Sequence, residues 1–219
     1  MKFRRSNSRR QLLLAASLTA LQTTLLNYPA SVFAAAKGSR KILILGDSLS
    51  AEYGIARGSG WVALLAAHLS QHAPDYAVVN ASISGETTAG GRQRLTQLLA
   101  RHQPDIVLIE LGGNDALRGL DLATTEQNLR AMSRQARGTG ARVALLGMQV
   151  PPNYGQRYAD WFAGIFARVA AAERTALVPF LLEGVAQNPD LFQRDRIHPN
   201  AQAQPIMLAN VWPILRTLL

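Results

Sequence analysis

From residue 41 onward, short apolar runs alternate with longer segments in which apolar residues recur every three or four positions. A short apolar run bounded by turn residues is typical of a buried strand, and the three-to-four spacing is typical of a helix that packs on one side. Regular alternation of the two indicates βαβ units, in which the strands are parallel and helices cover both faces. The sequence therefore predicts an α/β fold: a three-layer α/β/α sandwich with a five-stranded parallel sheet.

The predicted strands lie near residues 42–45, 76–80, 106–110, 143–146 and 176–178. The predicted helices span residues 60–71, 88–102, 124–137, 156–173 and 203–218. Ligands of open parallel sheets bind beyond the carboxyl ends of the strands. The residues that carry chemistry are therefore expected in the loops that follow the strands.

The first 36 residues have the pattern of an export signal. Basic residues are followed by a Leu- and Ala-rich stretch at residues 11–26 and by small residues at positions 31–36, where cleavage after Ala34 or Ala36 fits. An amphipathic helix of the fold and a membrane anchor are the alternatives, but a span needs roughly 20 strongly apolar residues, and this stretch is shorter and interrupted by threonines. We expect residues 1–36 to be a signal peptide, residues 37–219 to be one domain, and the mature protein to be periplasmic or secreted without a stable membrane anchor.

The residues around Arg9-Arg10 resemble a twin-arginine signal, so the general secretory and twin-arginine routes both remain open.

The net charge of the chain depends strongly on its first residues. The formal charge is +9, and without the five basic residues among the first ten it is +4. That remainder forms no basic run with interleaved aromatics, so a nucleic-acid partner is not expected. The chain has no cysteine, which excludes disulfides, thiol nucleophiles and thiolate metal sites.

Three successive strand ends carry unusual residues. The first predicted strand runs into Gly-Asp-Ser-Leu-Ser, which places Ser48 on a glycine turn. The second leads to Gly85, whose amide has no side chain beside it, and the third leads through two glycines to Asn114, whose amide can donate a hydrogen bond. Each is more often a plain turn residue when it stands alone. Because the three residues meet at one rim of the sheet, they favour an active site there.

A base for Ser48 is expected near the C-terminus. Pro199 biases His198 toward an extended backbone, and Asp195 precedes the histidine by three residues, close enough to turn back to the imidazole Nδ1. A hydroxyl needs such an oriented base to act as a nucleophile. A metal site built on the same pair is the alternative, but no second histidine or carboxylate pair has ligand spacing, so no metal is predicted.

The four blocks in this order resemble the SGNH hydrolases, also called the GDSL family, whose name letters match Ser48, Gly85, Asn114 and His198. The resemblance implies a flavodoxin-like sheet with a catalytic triad of Ser48, His198 and Asp195. It also implies an oxyanion hole formed by the Ser48 and Gly85 amides and the Asn114 side chain, with no cofactor. The order Ser, Asp, His, without Gly-x-Ser-x-Gly around Ser48, separates the chain from the α/β-hydrolases.

Bacterial periplasmic members of the family imply hydrolysis of acyl esters and thioesters, including aryl esters, acyl-CoA and lysophospholipids. We expect the protein to be a monomer. The loops after the third and fourth strands are expected to bind the acyl chain through apolar and aromatic side chains: Leu117, Leu120, Val150 and Tyr154. The sequence departs from the family pattern at Glu86, where an aspartate is expected, and at Pro151-Pro152. Those departures leave the acyl preference open.

Two other functions remain as alternatives. A carbohydrate O-acetylesterase uses the same constellation on the same sheet and differs in needing only a small acyl pocket. A non-catalytic, flavodoxin-like binding protein would keep the sheet, but no Gly-x-Gly-x-x-Gly or phosphate-cradling motif is present.

Overall fold

A computed structural model describes residues 40–219 of the chain. Five strands form one sheet: β1 (Arg40–Gly46), β2 (Tyr76–Asn80), β3 (Ile106–Glu110), β4 (Arg142–Leu146) and β5 (Ala176–Val178). All pairs are parallel and the strand order is β2-β1-β3-β4-β5. The predicted α/β class, strand number and parallel pairing are confirmed.

Six helices accompany the sheet: α1 (Trp61–His72), α2 (Thr88–His102), α3 (Gly113–Leu117), α4 (Leu122–Gly138), α5 (Gln156–Glu173) and α6 (Gln204–Leu215). Helices α1 and α6 pack against each other, and α4 packs between α2 and α5, so the helices form two layers. The sheet lies between them, which gives the three-layer sandwich expected from the alternating pattern.

Helices α3, α4 and α6 differ from the sequence-based prediction, and α6 ends at Leu215, three residues before its predicted end. Helix α4 begins two residues earlier, because the Asp121 side chain caps it by accepting hydrogen bonds from the amides of Ala123 and Thr124. Helix α3 was not predicted, because five residues are too few to show a helical period. This short helix carries Asn114, and its position therefore affects the site.

The central strands are buried on both faces. Ile42, Leu43, Ile44 and Leu45 of β1 have no exposed surface, and the same holds for the apolar residues of β3. Such continuous burial is what helices on both faces of a parallel sheet produce. The strand order changes direction between β1 and β3, so the chain leaves these neighbouring strands toward opposite sides. Parallel sheets open a ligand crevice at such a reversal, which here lies above Gly46 and Glu110.

The signal peptide expected at residues 1–36 and its cleavage sites lie outside the described residues. Within residues 40–219, none of the helices combines the length and the apolar character needed to cross a membrane.

Candidate active site

Ser48 lies on a tight turn at the carboxyl end of β1. The Asp47 carbonyl accepts hydrogen bonds from the amides of Ser50 and Ala51, and the Asp47 carboxylate accepts one from the Leu49 amide at 3.0 Å. These bonds close the turn around Ser48 and leave its side chain partly exposed at the crevice. The turn therefore presents the hydroxyl to solvent without burying it in the core.

His198 reaches Ser48 from a loop 150 positions later in the chain. Its Nε2 lies 3.0 Å from the Ser48 Oγ, which is hydrogen-bond distance. The ring of Tyr53 lies against the imidazole, with 4.4 Å between the two ring centroids. The structure thus brings together the serine and the histidine that the sequence pattern paired.

Asp195 holds the opposite side of the imidazole. Its Oδ2 lies 2.7 Å from the His198 Nδ1, and its Oδ1 accepts hydrogen bonds from the amides of Ile197 and His198 at 2.9 and 3.0 Å. The chain turns back within three residues because Arg196 adopts a left-handed conformation with φ of 57°. In this arrangement Nδ1 donates its hydrogen to the carboxylate, and Nε2 is left as the acceptor for the Ser48 hydroxyl.

The charge state of Asp195 follows from the same contacts. Partial burial raises the pKa of its carboxyl, but the hydrogen bonds from the His198 and Ile197 amides and from the His198 ring outweigh burial and lower the pKa to about 2. A carboxylate that stays ionised can stabilise a histidine that becomes positively charged during a reaction. The Ser48, His198 and Asp195 arrangement therefore has the geometry needed to activate a hydroxyl.

Asn114 is anchored beside Ser48 by its own side chain. Its Nδ2 donates a hydrogen bond to the Asp47 Oδ2 at 2.9 Å, and Asp47 is the residue before Ser48. An amide nitrogen carries two hydrogens, so one remains for a second acceptor. The side chain is partly exposed at the crevice.

The loop with Gly85 is held against the same turn. The Ile83 amide donates to the Gly46 carbonyl at 3.0 Å, and Gly85 itself has a φ of 78°, where a side chain would be strained. Arg118, just beyond α3, donates from its Nη2 to the Gly85 carbonyl at 2.9 Å. These contacts hold the loops of Gly85 and Asn114 against the turn that carries Ser48.

Asp115, which follows Asn114, connects the loop after β3 to the loop after β2. This buried carboxylate accepts hydrogen bonds from both the amide and the hydroxyl of Thr88, at 2.9 and 2.5 Å, and one from the Thr125 hydroxyl at 3.3 Å. Thr88 opens α2 directly after the Gly85 loop. Sequence reasoning missed this link, although an acidic residue directly after Asn114 in the loop that follows the third strand was a visible signal.

Glu86, where the sequence departs from the family pattern, forms an ion pair that supports the loop after β2. Its Oε2 accepts a hydrogen bond from the Arg94 Nε at 2.7 Å, and the Arg94 Nη1 donates to the Ala81 carbonyl at 3.0 Å. The longer glutamate side chain is therefore accommodated in an ion pair that supports this loop.

A pair of buried carboxyls beneath the crevice was also missed by sequence reasoning. Asp47 is 3% exposed and Glu110, at the end of β3, is fully buried. Burial is the main cause that raises the pKa of both groups, and for Glu110 the neighbouring Asp47 charge raises it further. The signal for Glu110 was a charged residue that ends an otherwise apolar strand.

The four residues expected to bind the acyl chain occupy different environments. Leu117, Leu120 and Tyr154 are exposed, and the Tyr154 hydroxyl donates to the Leu117 carbonyl at 3.3 Å, so the two loops touch. Val150 is 7% exposed and packs in the core. Its part in binding an acyl chain stays a prediction, and a substitution there would disturb the core as well.

The chain is similar to several known hydrolases. Esterase TesA of Pseudomonas aeruginosa is 54% identical over 83% of this chain and 90% of its own length. Thioesterase 1/protease 1/lysophospholipase L1 of Escherichia coli is 44% identical over 76% of this chain and 78% of its own.

A crystal structure of TesA superposes with a TM-score of 0.81, covering 82% of this chain and all of that one at 54% identity. Residues 44–205 match the GDSL-like lipase/acylhydrolase family, which includes all four blocks around the crevice. The chain therefore belongs to the GDSL-like lipase/acylhydrolase family.

Proposed function

We propose that this protein is an exported serine hydrolase that cleaves acyl esters and thioesters through an acyl-enzyme on Ser48. The observation that carries the proposal is the relay in which Asp195 contacts the Nδ1 of His198 and the Nε2 of the same ring contacts the Ser48 Oγ. Two hydrogen bonds in series, one on each side of an imidazole, are what activation of a serine hydroxyl requires.

In the first half of the reaction, Ser48 Oγ attacks the acyl carbonyl carbon while His198 Nε2 takes the hydroxyl proton. The tetrahedral intermediate collapses when His198 returns this proton to the leaving oxygen or sulfur, which departs as an alcohol or a thiol. In the second half, water attacks the acyl-enzyme, His198 takes a proton from the water, and the acid leaves as Ser48 recovers its hydrogen.

Negative charge develops on the carbonyl oxygen in both halves. We propose that the amides of Ser48 and Gly85 and the free hydrogen of the Asn114 amide bind this oxygen. Donors that are already oriented stabilise the transition state more than the substrate, because the charge appears only there. The Asp47 contact holds the Asn114 amide in place before the substrate arrives.

The substrate class rests on the relatives and on the crevice. The similar proteins are named as an esterase and as a thioesterase and lysophospholipase, and the exposed Leu117, Leu120 and Tyr154 supply apolar surface beside the site. We propose a small acyl ester or thioester as the substrate of a monomeric enzyme. The test is purified protein assayed on p-nitrophenyl esters of increasing chain length, acyl-CoA and lysophospholipid. Activity confined to acetyl esters would favour the carbohydrate deacetylase instead.

Leu117→Asp should lower kcat/KM for long acyl chains much more than for acetyl esters. Each methylene that the groove buries contributes about 0.8 kcal/mol, and a carboxylate on the groove wall removes part of that contribution. We expect a loss of about tenfold or more on an eight-carbon ester and of less than about threefold on acetyl, measured as a chain-length profile.

The matched control is Ala100→Asp, which places the same charge on an exposed position near the far end of α2. It should leave the profile unchanged. Equal loss on short and long chains in Leu117→Asp would show that this loop does not bind the acyl chain.

Residues 1–36 are proposed to direct export, because they combine a basic start, an apolar stretch and a small-residue cleavage zone. Expression with the native leader should yield periplasmic protein whose N-terminus lies between Ala35 and Lys37, as read by N-terminal sequencing. Replacing Arg9-Arg10 by two lysines should block export if the twin-arginine route is used and leave it intact if the general secretory route is used. Soluble cytosolic protein that retains Met1 would contradict the export proposal.

A further inference from the structure

Glu110 lies directly beneath the Ser48 turn. Gly46 and Glu110 are register partners on the neighbouring strands β1 and β3, and the glutamate side chain crosses toward β1. Its Oε2 accepts hydrogen bonds from the Asp47 amide at 3.2 Å and from the Ser50 hydroxyl at 2.8 Å. A fully buried acid therefore contacts the residue before the proposed nucleophile and the second residue after it.

The carboxyls of Asp47 and Glu110 have no cation among the described residues close enough to form an ion pair. None of the salt bridges among residues 40–219 includes Asp47 or Glu110. Two buried carboxyls side by side cannot both be ionised at moderate cost, so the pair retains one proton. Burial and the Asp47 charge both raise the pKa of Glu110.

The contacts indicate which of the two acids keeps the proton. The Asp47 carboxylate accepts hydrogen bonds from the Leu49 amide and the Asn114 side chain, so its charge is solvated by donors. The Glu110 Oε1 is buried and has no hydrogen-bond partner among the described residues. A proton on Glu110 turns its carboxyl into a donor beside Asp47, whose amide already contacts the Glu110 Oε2 at 3.2 Å.

We propose that Glu110 is a positioning residue that acts as a neutral acid, donates a hydrogen bond to the Asp47 carboxylate, and thereby orients the Asn114 amide toward the oxyanion. This inference rests on the proposed function, since the oxyanion is formed only if Ser48 attacks an acyl group. In this role Glu110 acts on the reacting atoms through Asp47 and Asn114, so its effect should appear in kcat and should depend on Asn114.

A double-mutant cycle tests that dependence. Glu110→Met removes the donor to Asp47 and should lower kcat on a p-nitrophenyl ester by roughly 10- to 100-fold with KM within about threefold, since one disordered oxyanion donor loses part of its contribution. In the Asn114→Ala background, which itself should lose about 10²- to 10³-fold, the same substitution should cost less than about threefold. Equal losses in the two backgrounds would overturn the proposal.

Two further variants separate positioning from folding. Ser50→Ala removes the hydrogen bond that the Ser50 hydroxyl donates to Glu110. It leaves the proposed hydrogen bond from Glu110 to Asp47 in place, so kcat should stay within about threefold even where the melting temperature falls. Glu110→Gln keeps a neutral donor of the same shape and should retain most of the kcat. A Glu110→Gln variant that loses as much kcat as Glu110→Met would contradict a neutral Glu110.

Infrared difference spectra of wild type minus Glu110→Gln should show the carbonyl band of a protonated carboxyl at neutral pH, and a carboxylate band in its place would overturn the inference. This measurement needs no turnover, so it holds even where Glu110→Met does not fold. If wild type fails to hydrolyse esters or to react with a fluorophosphonate, the proposed function fails. If wild type is active but the Glu110 variants behave like Ser50→Ala, only the role of Glu110 fails.

Discussion

Ser48→Ala is expected to lower kcat on p-nitrophenyl esters by at least roughly 10⁴-fold while the protein stays folded. The loss is large because no acyl-enzyme forms without the hydroxyl, and the oxyanion donors alone provide only a residual rate. The fold should persist because the side chain is partly exposed and its hydroxyl contacts the His198 ring and no core residue. Steady-state assays with a circular dichroism spectrum of each protein check both parts.

A fluorophosphonate probe gives an independent readout of the same prediction. Wild type should be labelled on Ser48, and Ser48→Ala should not be labelled. Ser70→Ala, which removes an exposed serine hydroxyl from α1, is the matched control and should keep full activity and labelling. Esterase activity of Ser48→Ala within tenfold of wild type would remove Ser48 from the mechanism.

Asp195→Asn is expected to lower kcat by about 10³- to 10⁴-fold, although it changes one oxygen to an amide nitrogen. The asparagine oxygen can still accept from the Ile197 and His198 amides, so the loop should keep its shape. Its nitrogen, however, donates to the Nδ1 of His198 and places the ring hydrogen on Nε2. That tautomer cannot accept the Ser48 proton, so the serine is not activated.

The matched control for this variant is Asp190→Asn, an exposed acid that precedes the same loop. It removes the same charge and should leave kcat within about twofold of wild type. Both variants should melt near the wild-type temperature. If Asp195→Asn and Asp190→Asn show equally small losses, the carboxylate on the His198 ring does not set the tautomer.

Much of the fold was predictable because it depends on local pattern. Continuous apolar residues in β1 and β3 indicated strands buried on both faces, and three-to-four spacing indicated helices such as α2 and α5. The short blocks around Ser48, Gly85, Asn114 and His198 were visible because the first three follow strands and His198 directly precedes a proline. Helix α3 escaped prediction because one turn of helix has no period to detect.

The contacts of individual side chains depended on packing between distant segments. The sequence alone indicated that Ser48 needed a base, that Asp195 and His198 formed a pair, and that three strand ends met at one rim. Only the tertiary structure decided that Glu110 lies under Gly46, that Asp47 holds the Asn114 amide, and that Val150 faces the core. Strand and helix periods are set by short-range sterics and burial, which the sequence displays directly. Which side chains touch is set by strand register and by how the helix layers pack on the sheet, and both arise only when residues far apart in the chain are brought together.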